Sequence, residues 1–176
     1  VRDIKEYFHY YPSGRCPEAL RADLRRYYEA AEQVAGQLLG WVEKHAPEEV
    51  ARRFSEPLSQ MIQDSPSTLL RVLHYPRMTG EEATDALRAA AHEDINLLTV
   101  LPAASAPGLE VKTRTGEWVP VPCDFGNLVV NVGDMLQEVT AGWLPSTTHR
   151  VVNPPGGTYE GARMSLPLFL HPRPEV

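Results

Sequence analysis

The sequence predicts a mainly β fold, a sandwich or barrel of jelly-roll type, with an N-terminal helical segment that packs on the sheet. Two observations predict this fold class. Beyond residue 67, short runs rich in β-branched residues alternate with turns that contain Pro and Gly, which is typical of sandwiches and barrels. Before residue 67, apolar residues recur at spacings of three and four, the period of one helix face.

Helices are predicted only in the N-terminal part of the chain. Aromatic residues interrupted by Pro and Gly indicate an initial loop, and the apolar period that begins at Pro17 indicates a long helix. Pro47 suits the first position of a second helix, because the N–H that it lacks would have no partner there. The predicted elements are a loop with a short entry segment over residues 1–18, a helix over 17–44, a short helix over 47–54, and a connection over 55–67 with one helical turn at 58–62.

Strands are predicted for the rest of the chain. Seven short runs rich in Val, Leu, Thr and aromatic residues are separated by turn-forming residues. The sequence Asn-Pro-Pro-Gly-Gly at 153–157 predicts a turn or hairpin tip. The predicted strands cover residues 68–75, 92–101, 108–112, 117–121, 127–132, 147–152 and 162–170.

Length and composition are those of one globular domain. The chain has 176 residues, of which 43% are hydrophobic and 23% charged, so it can bury a sizeable core. We expect residues 1–67 to form a helical segment that packs on a jelly-roll core formed by residues 68–176. Because the chain starts with Val and ends in a Pro-containing tail, we expect a fragment that lacks part of its N-terminal region.

Charge and apolar patterning argue against two classes of partner. The formal net charge is −6, and Lys and Arg form no run beyond pairs, which argues against nucleic acid and anionic membrane surfaces. No apolar segment has the length of a membrane-spanning helix, and the N-terminus has no signal-peptide pattern. Cys16 and Cys123 are far apart in the sequence and suit a reducing cytosol. We therefore expect a cytoplasmic protein.

His92 and Asp94 are separated by one residue in a run that we predict to be a strand. Alternate side chains of a strand point to one face, so this imidazole and this carboxylate would lie side by side. A second imidazole, His149, lies in another predicted strand. Two imidazoles and one carboxylate form the facial triad that holds non-haem Fe(II). On these residues alone, a His/Asp pair with an unrelated His149 would be favoured, and a structural zinc site is a further alternative.

The order His92-x-Asp94, His149 and Arg163-x-Ser165 resembles the iron- and 2-oxoglutarate-dependent dioxygenases. The likeness is to the branch that contains isopenicillin N synthase, whose fold is a distorted double-stranded β-helix, or jelly roll. Six segments match this branch in order and spacing, and the helical part of the chain is less specific. Within residues 68–172, the matching segments are 91–101, 107–111, 116–121, 131–136, 145–151 and 163–169.

The resemblance implies that the three residues of the triad are the ligands of Fe(II) and the catalytic centre. It also implies that 2-oxoglutarate chelates the metal and that reaction with O2 releases succinate and CO2. Arg163 offers a planar fork for the far carboxylate of this cosubstrate, and Ser165 adds a hydroxyl donor from the same strand face. Tyr75 matches a family tyrosine that reaches the same carboxylate, although a core tyrosine bonded to the backbone is almost equally favoured. Plant members often carry Asn where this chain has Leu73.

The expected function is therefore that of an Fe(II)- and 2-oxoglutarate-dependent oxygenase that hydroxylates or otherwise oxidises a small organic substrate. Two alternatives stay open. One is an oxidase like isopenicillin N synthase, which does not use 2-oxoglutarate, and the other is a non-catalytic jelly-roll binding module. The sequence indicates neither the substrate nor the oligomeric state. Residues expected near the iron are Asn96, Leu98, Asn131, Trp143 and Phe169.

Overall fold

The structure, a computed structural model, describes residues 3–79, 81–82, 86–153 and 161–176. Within these residues we number four helices and ten strands in chain order. The helices are α1 (Glu18–His45), α2 (Glu48–Ala51), α3 (Leu58–Met61) and α4 (Asp134–Val139). The strands are β1 (Glu6–Tyr10), β2 (Leu69–Tyr75), β3 (Ala89–His92), β4 (Leu98–Pro102), β5 (Leu109–Lys112), β6 (Trp118–Pro120), β7 (Leu128–Val132), β8 (His149–Val151), β9 (Arg163–Ser165) and β10 (Leu168–Leu170).

Two antiparallel sheets build the fold. The larger sheet has the strand order β1-β2-β10-β4-β7, with β9 also paired to β2, and the smaller sheet has the order β3-β8-β5-β6. All the pairings between these named strands are antiparallel. Side chains of both sheets line one cavity of about 250 Å³. The predicted mainly β, jelly-roll fold with an N-terminal helix is therefore confirmed.

Helix α1 packs on the face of the larger sheet that is turned away from the cavity. Leu24 of α1 belongs to one buried cluster with Leu70 of β2 and Leu168 of β10. Burial of each such side chain contributes roughly 1.5–3 kcal/mol to folding. Because side chains alternate along a strand, the next residues, Arg71 and Phe169, line the cavity instead. The larger sheet thus separates an apolar core from a more polar cavity.

The predicted helices differ from the observed helices mainly at their ends. Helix α1 begins at Glu18, directly after Pro17, and ends at His45, close to the predicted limits. Pro47 precedes α2 instead of starting it, and α2 ends at Ala51, earlier than predicted. Helix α3 forms the single predicted turn. Helix α4 was not predicted.

Two further predictions of local structure are wrong. The expected N-terminal loop contains β1, because pairing with β2 supplies backbone partners that local sequence does not reveal. The single strand expected over residues 162–170 is two strands, β9 and β10, with Pro167 between them. Pro167 has no N–H to donate to a ladder, but its carbonyl accepts a hydrogen bond of 3.0 Å from the N–H of Arg71. Of the predicted hairpin tip, residues 154–157 lie outside the described residues.

Two sequence expectations concern the membrane and the cysteines. In the described ranges, no helix combines the length and the apolar character needed to cross a membrane. Cys16 and Cys123 are not joined in a disulfide.

Candidate metal and cosubstrate site

Three potential metal ligands converge at one end of the cavity. Each of His92, Asp94 and His149 offers one ligand atom, and these atoms all lie within 4.8 Å of one another. Asp94 Oδ1 is 3.7 Å from Nε2 of His149, and the centroids of the two imidazole rings are 4.3 Å apart. Among the residues that the structure describes, no other group of three His, Cys, Asp or Glu side chains is close enough to hold a metal ion.

The backbone that positions these ligands is not the continuous strand that we predicted over residues 92–101. Strand β3 ends at His92, and residues 93–97 form an irregular connection to β4. The carbonyl of Asp94 accepts a hydrogen bond of 2.7 Å from the N–H of Asp134, the first residue of α4. The strand prediction is wrong here because this connection bonds to the start of α4 and not to a neighbouring strand.

Gly133 permits this close contact between the connection and α4. Its N–H donates to the carbonyl of Leu97 at 3.0 Å. A Cβ atom at position 133 would lie only 2.1 Å from the backbone oxygen of Asn96. Glycine is therefore required by the close approach of two backbones, and the geometry of the connection depends on a residue far from it in sequence.

Both imidazoles are oriented by backbone carbonyls. Nδ1 of His92 lies 2.7 Å from the carbonyl of Ala90, and Nδ1 of His149 lies 3.0 Å from the carbonyl of Thr147. With Nδ1–H as the donor, Nε2 of each ring keeps its lone pair for a metal. Although His92 is an exposed residue overall, loss of hydration at its ring lowers its pKa, and this effect outweighs the hydrogen bond to Ala90, which raises the pKa. The net lowering favours the neutral form that metal binding needs.

The carboxylate of Asp94 is held by a polar network. Its Oδ2 accepts hydrogen bonds from Oγ1 of Thr99 at 2.6 Å and from Nδ2 of Asn131 at 2.9 Å. Nδ2 of Asn96 donates in turn to Oγ1 of Thr99 at 3.0 Å. Asp94 is only 7% exposed, so these bonds compensate the buried charge and leave Oδ1 near His149 for a metal.

The three predicted cosubstrate residues meet at the other end of the cavity. Arg163 and Ser165 both lie in β9, and β9 pairs with β2 so that Arg163 is opposite Tyr75. All three side chains line the cavity. The positions of Arg163 and Ser165 on one strand face agree with the strand alternation that we expected.

Arg163 is a buried cation with an incomplete set of partners. The residue is 2% exposed, and its Nε donates to the carbonyl of Ala106 at 3.0 Å. Its buried Nη1 has no hydrogen-bond partner in the described part of the chain. Burial lowers the pKa of Arg163, and the neighbouring Tyr75 opposes this shift. Burying an unpaired charge is costly, so an anion in the cavity would complete this site.

Tyr75 is packed beside this guanidinium. Its ring centroid is 5.1 Å from Cζ of Arg163, and the residue is 3% exposed. Burial raises the pKa of Tyr75, so its hydroxyl stays protonated and can donate. The backbone partner that a purely structural tyrosine would need is not found for this hydroxyl in the described ranges.

The residues of the cavity fit the expected metal and cosubstrate. Two neutral imidazoles and one carboxylate suit a divalent iron and leave coordination positions open. The unpartnered guanidinium donor of Arg163 suits a carboxylate at the far end. A small diacid that reached from the metal to Arg163 would satisfy both ends of the cavity.

The other residues expected near the iron divide into two groups. Asn131 and Phe169 line the cavity, as predicted. Asn96, Leu98 and Trp143 do not line it. Leu98 belongs to the core cluster beneath the sheet, Asn96 supports the polar network from behind, and Trp143 is 39% exposed.

The sequence analysis missed several cavity residues, and three of them have polar or charged side chains that bear on the site. Thr99, Arg71 and Lys5 line the cavity but were not predicted. Arg71 precedes Tyr75 by four positions on β2, so strand alternation could have placed both on one face. Lys5, which directly precedes β1, offered no such signal, because β1 itself was not predicted.

Comparison with known sequences identifies the family. A sequence model described as the 2OG-Fe(II) oxygenase superfamily matches residues 66–172, more than half of the chain. The chain belongs to this superfamily. The predicted family, the oxidoreductase class, and Fe(II) with 2-oxoglutarate and O2 as its cofactors are thereby confirmed at the level of the superfamily.

Named relatives and solved structures agree with this superfamily. A 2-oxoglutarate-dependent dioxygenase of Monascus ruber is 34% identical over 148 residues, which are 81% of this chain and 43% of that protein. Gibberellin 2-beta-dioxygenase 2 of Arabidopsis thaliana is 32% identical over 139 residues, 77% of this chain and 39% of that protein. The crystal structure of a candidate oxygenase from Shewanella oneidensis is 58% identical, with a TM-score of 0.92 over 100% of this chain and 63% of that one. The chain thus spans less than half the length of the two named dioxygenases.

Proposed function

We propose that this chain forms the core of an oxygenase that uses Fe(II), 2-oxoglutarate and O2 to hydroxylate or otherwise oxidise a small organic molecule. Succinate and CO2 would be released. One observation carries the proposal: the cavity has a cluster of two imidazoles and a carboxylate at one end and the incompletely bonded guanidinium of Arg163 at the other. Residues 68–176 would form the catalytic core, and residues 1–67 would support it.

Each side chain has one role in this proposal. His92, Asp94 and His149 would hold the iron, which when bound supplies the chemistry of O2 activation. Arg163 would pair with the far carboxylate of 2-oxoglutarate through its planar fork. Ser165 and Tyr75 would each add a hydroxyl donor to this end of the cavity.

Two kinds of observation support this proposal over the alternatives. The named relatives are 2-oxoglutarate-dependent dioxygenases and hydroxylases, which favours a cosubstrate over an oxidase that does not use one. The orientation of both imidazoles by backbone carbonyls favours a metal site over a non-catalytic module. We further propose a cytoplasmic protein without a nucleic-acid or membrane partner, which the net charge of −6 supports.

Anaerobic titration of the apo-protein with Fe(II), followed by 2-oxoglutarate, tests the proposal. We expect saturable iron binding and then a visible charge-transfer band of the chelated keto acid. The Arg163→Gln variant should bind iron normally, but its half-saturating concentration of 2-oxoglutarate should be at least roughly 30 times that of the wild type. The reason is that removal of one partner of a buried charge pair costs about 2–5 kcal/mol. Arg25→Gln, on the exposed surface of α1, is the control.

The outcomes of this titration separate the alternatives. Iron binding without the band would favour an oxidase that does not use 2-oxoglutarate. Absence of iron binding would contradict the metal site and leave a binding module. An unchanged affinity for 2-oxoglutarate in Arg163→Gln would show that Arg163 does not bind the cosubstrate.

A further inference from the structure

Among the residues that the structure describes, three cationic side chains line the cavity: Lys5, Arg71 and Arg163. Lys5 already has a counter-charge, because its Nζ lies 2.7 Å from Oδ2 of Asp3. Arg163 is accounted for by the cosubstrate in the function proposed above. Arg71 has no carboxylate within ion-pair distance in the described ranges. It is therefore a cavity cation whose charge is not offset.

Arg71 is held in one orientation by its neighbours. Its Nε donates to Nε2 of His9 at 2.8 Å, and its Cζ lies 5.0 Å from the ring centroid of Phe169 and 5.4 Å from that of Tyr7. Burial lowers the pKa of His9, and the charge of Arg71 lowers the pKa further, so His9 is a neutral acceptor. These contacts fix the plane of the guanidinium without neutralising it.

The free edge of this guanidinium is suited to a carboxylate. Neither Nη atom of Arg71 donates to a residue in the part of the chain that the structure describes. Two such N–H groups in one plane form the fork that binds a carboxylate through two parallel hydrogen bonds. An arginine used only to hold β1 against β2 would not need to leave both groups free at a cavity.

Arg71 lies nearer than Arg163 to the metal end of the cavity. Phe169, which contacts Arg71, is paired in register with Thr99, and Thr99 is paired with Asn131. Thr99 and Asn131 are the residues that hold Asp94. Arg163, in contrast, pairs with Tyr75 at the other end of β2. The two arginines, neither of which has a carboxylate partner in the described ranges, therefore lie at different levels along the site.

In the function proposed above, both carboxylates of 2-oxoglutarate are engaged away from Arg71. One of its carboxylates would chelate the metal, and the other would pair with Arg163. No carboxylate of the cosubstrate is then left for Arg71. A second anion must come from another ligand of the same cavity.

We propose that Arg71 binds the carboxylate of the substrate, and that the substrate is a small carboxylic acid with an apolar body. This inference rests on the proposed function, because it assigns Arg163 to the cosubstrate. The remaining walls favour an apolar body, and the volume of about 250 Å³ limits its size. The apolar wall residues are Leu101, Leu109, Val111, Val129, Val151 and Phe169.

Direct binding measurements test this assignment without turnover. Protein loaded with Mn(II) and saturated with 2-oxoglutarate under argon is titrated calorimetrically with benzoate, phenylacetate and cinnamate, and with their matched primary amides. In the wild type, we expect at least one acid to bind about tenfold or more tightly than its amide. Arg71→Gln should lose this preference while its affinity for 2-oxoglutarate stays within about twofold of the wild-type value. Arg71→Lys should retain part of the preference, because it keeps the charge.

Arg150→Gln is the matched control. Its Cζ lies 4.1 Å from the ring centroid of Trp118, so the substitution also removes a guanidinium packed on an aromatic ring. Arg150 pairs with Glu110 and does not line the cavity. This variant should keep the preference of the wild type for acids.

Four results would overturn the role of Arg71. They are no acid preference in the wild type, an undiminished preference in Arg71→Gln, a loss of 2-oxoglutarate affinity in Arg71→Gln as large as that in Arg163→Gln, and unfolding of both Arg71 variants by circular dichroism. The third would make Arg71 a cosubstrate residue, and the fourth would make it structural. A wild-type protein that binds neither Mn(II) nor 2-oxoglutarate would instead contradict the proposed function.

Discussion

Two pairs of residues reach the cavity, and in each pair one residue lies between the two members in the sequence. The chain positions these two pairs in different ways. Arg163 and Ser165 lie within β9, where strand alternation alone turns both side chains inwards. His92 and Asp94 lie on either side of the end of β3, and Asp94 belongs to a connection that is bonded to α4. In this chain a regular strand places Arg163 and Ser165 along a wall, whereas Asp94 meets the two imidazoles only after the chain has left the strand.

This difference predicts where each end of the cavity is sensitive to substitution. The metal end depends on a polar network and on a backbone contact at Gly133, so substitutions that touch no metal should still affect it. The Arg163 end depends on regular pairing of β9 with β2, so only the side chains that face the ligand should matter there. The following substitutions test this contrast.

Asp94→Asn should have the largest effect. The substitution keeps the shape of the side chain but removes the charge that a divalent metal needs. We expect the affinity for Mn(II), measured by anaerobic calorimetry, to fall by more than about 100-fold, the upper range for residues that only support ligands. Circular dichroism should show a folded protein. Full metal stoichiometry at wild-type affinity would exclude Asp94 as a ligand.

Gly133→Ala should disrupt the connection that carries Asp94. The new Cβ would meet the backbone of Asn96 at a distance that no contact allows, so the two backbones must separate. We expect a loss of about 3 kcal/mol in the free energy of unfolding, measured by urea denaturation. The matched control is Gly36→Ala in α1, where a Cβ meets nothing within 4 Å.

The control should be stabilised by about 0.5–1 kcal/mol, because Ala is the better helix former. If Gly133→Ala were as stable as the wild type, the close approach of α4 would not determine the geometry of the ligand connection.

Thr99→Val should weaken the metal site without removing a ligand. The substitution deletes the hydroxyl that donates to Oδ2 of Asp94, while the bond from Asn131 remains. We expect the Mn(II) affinity to fall about tenfold. Thr148→Val is the control, since it removes a hydrogen bond that the Thr148 hydroxyl donates to the exposed Glu93, the residue between His92 and Asp94 in the sequence. An equal loss in both variants would show that the effect is not specific to Asp94.

The same contrast explains how far the sequence could predict the molecule. Arg163 and Ser165 could be placed because one strand and its period suffice. His92 and Asp94 could be proposed as ligands, but their geometry could not be derived, because it depends on a tertiary contact between residues 93–97 and Gly133. Period-two patterns are local, whereas backbone contacts between distant segments leave no local pattern.

The same distinction between local patterns and tertiary contacts explains which cavity residues the sequence analysis missed. Arg71 was on a correctly predicted strand and could have been found by extending the alternation from Tyr75. Lys5 directly precedes β1 and could not be found, because β1 is defined only by its pairing with β2. The position of Lys5 at the cavity therefore depends on tertiary structure alone.

Ser165→Ala should have the smallest effect and should act only at the end of the cavity that a regular strand builds. Loss of one hydroxyl donor to a carboxylate costs about 1 kcal/mol, which corresponds to about a fivefold loss of 2-oxoglutarate affinity. The Mn(II) affinity should not change, because β9 keeps its pairing with β2. Calorimetric titrations with each ligand measure both quantities.

The control for this variant is Ser105→Ala, which removes a hydroxyl that accepts a bond of 2.7 Å from the N–H of Met164 in β9. It alters the support of the strand but no side chain that faces the ligand. If the regular pairing of β9 suffices to place Arg163 and Ser165, this control should retain wild-type affinity for 2-oxoglutarate. A loss as large as that of Ser165→Ala would mean that the strand end also depends on contacts outside the sheet, and the contrast with the metal end would fail.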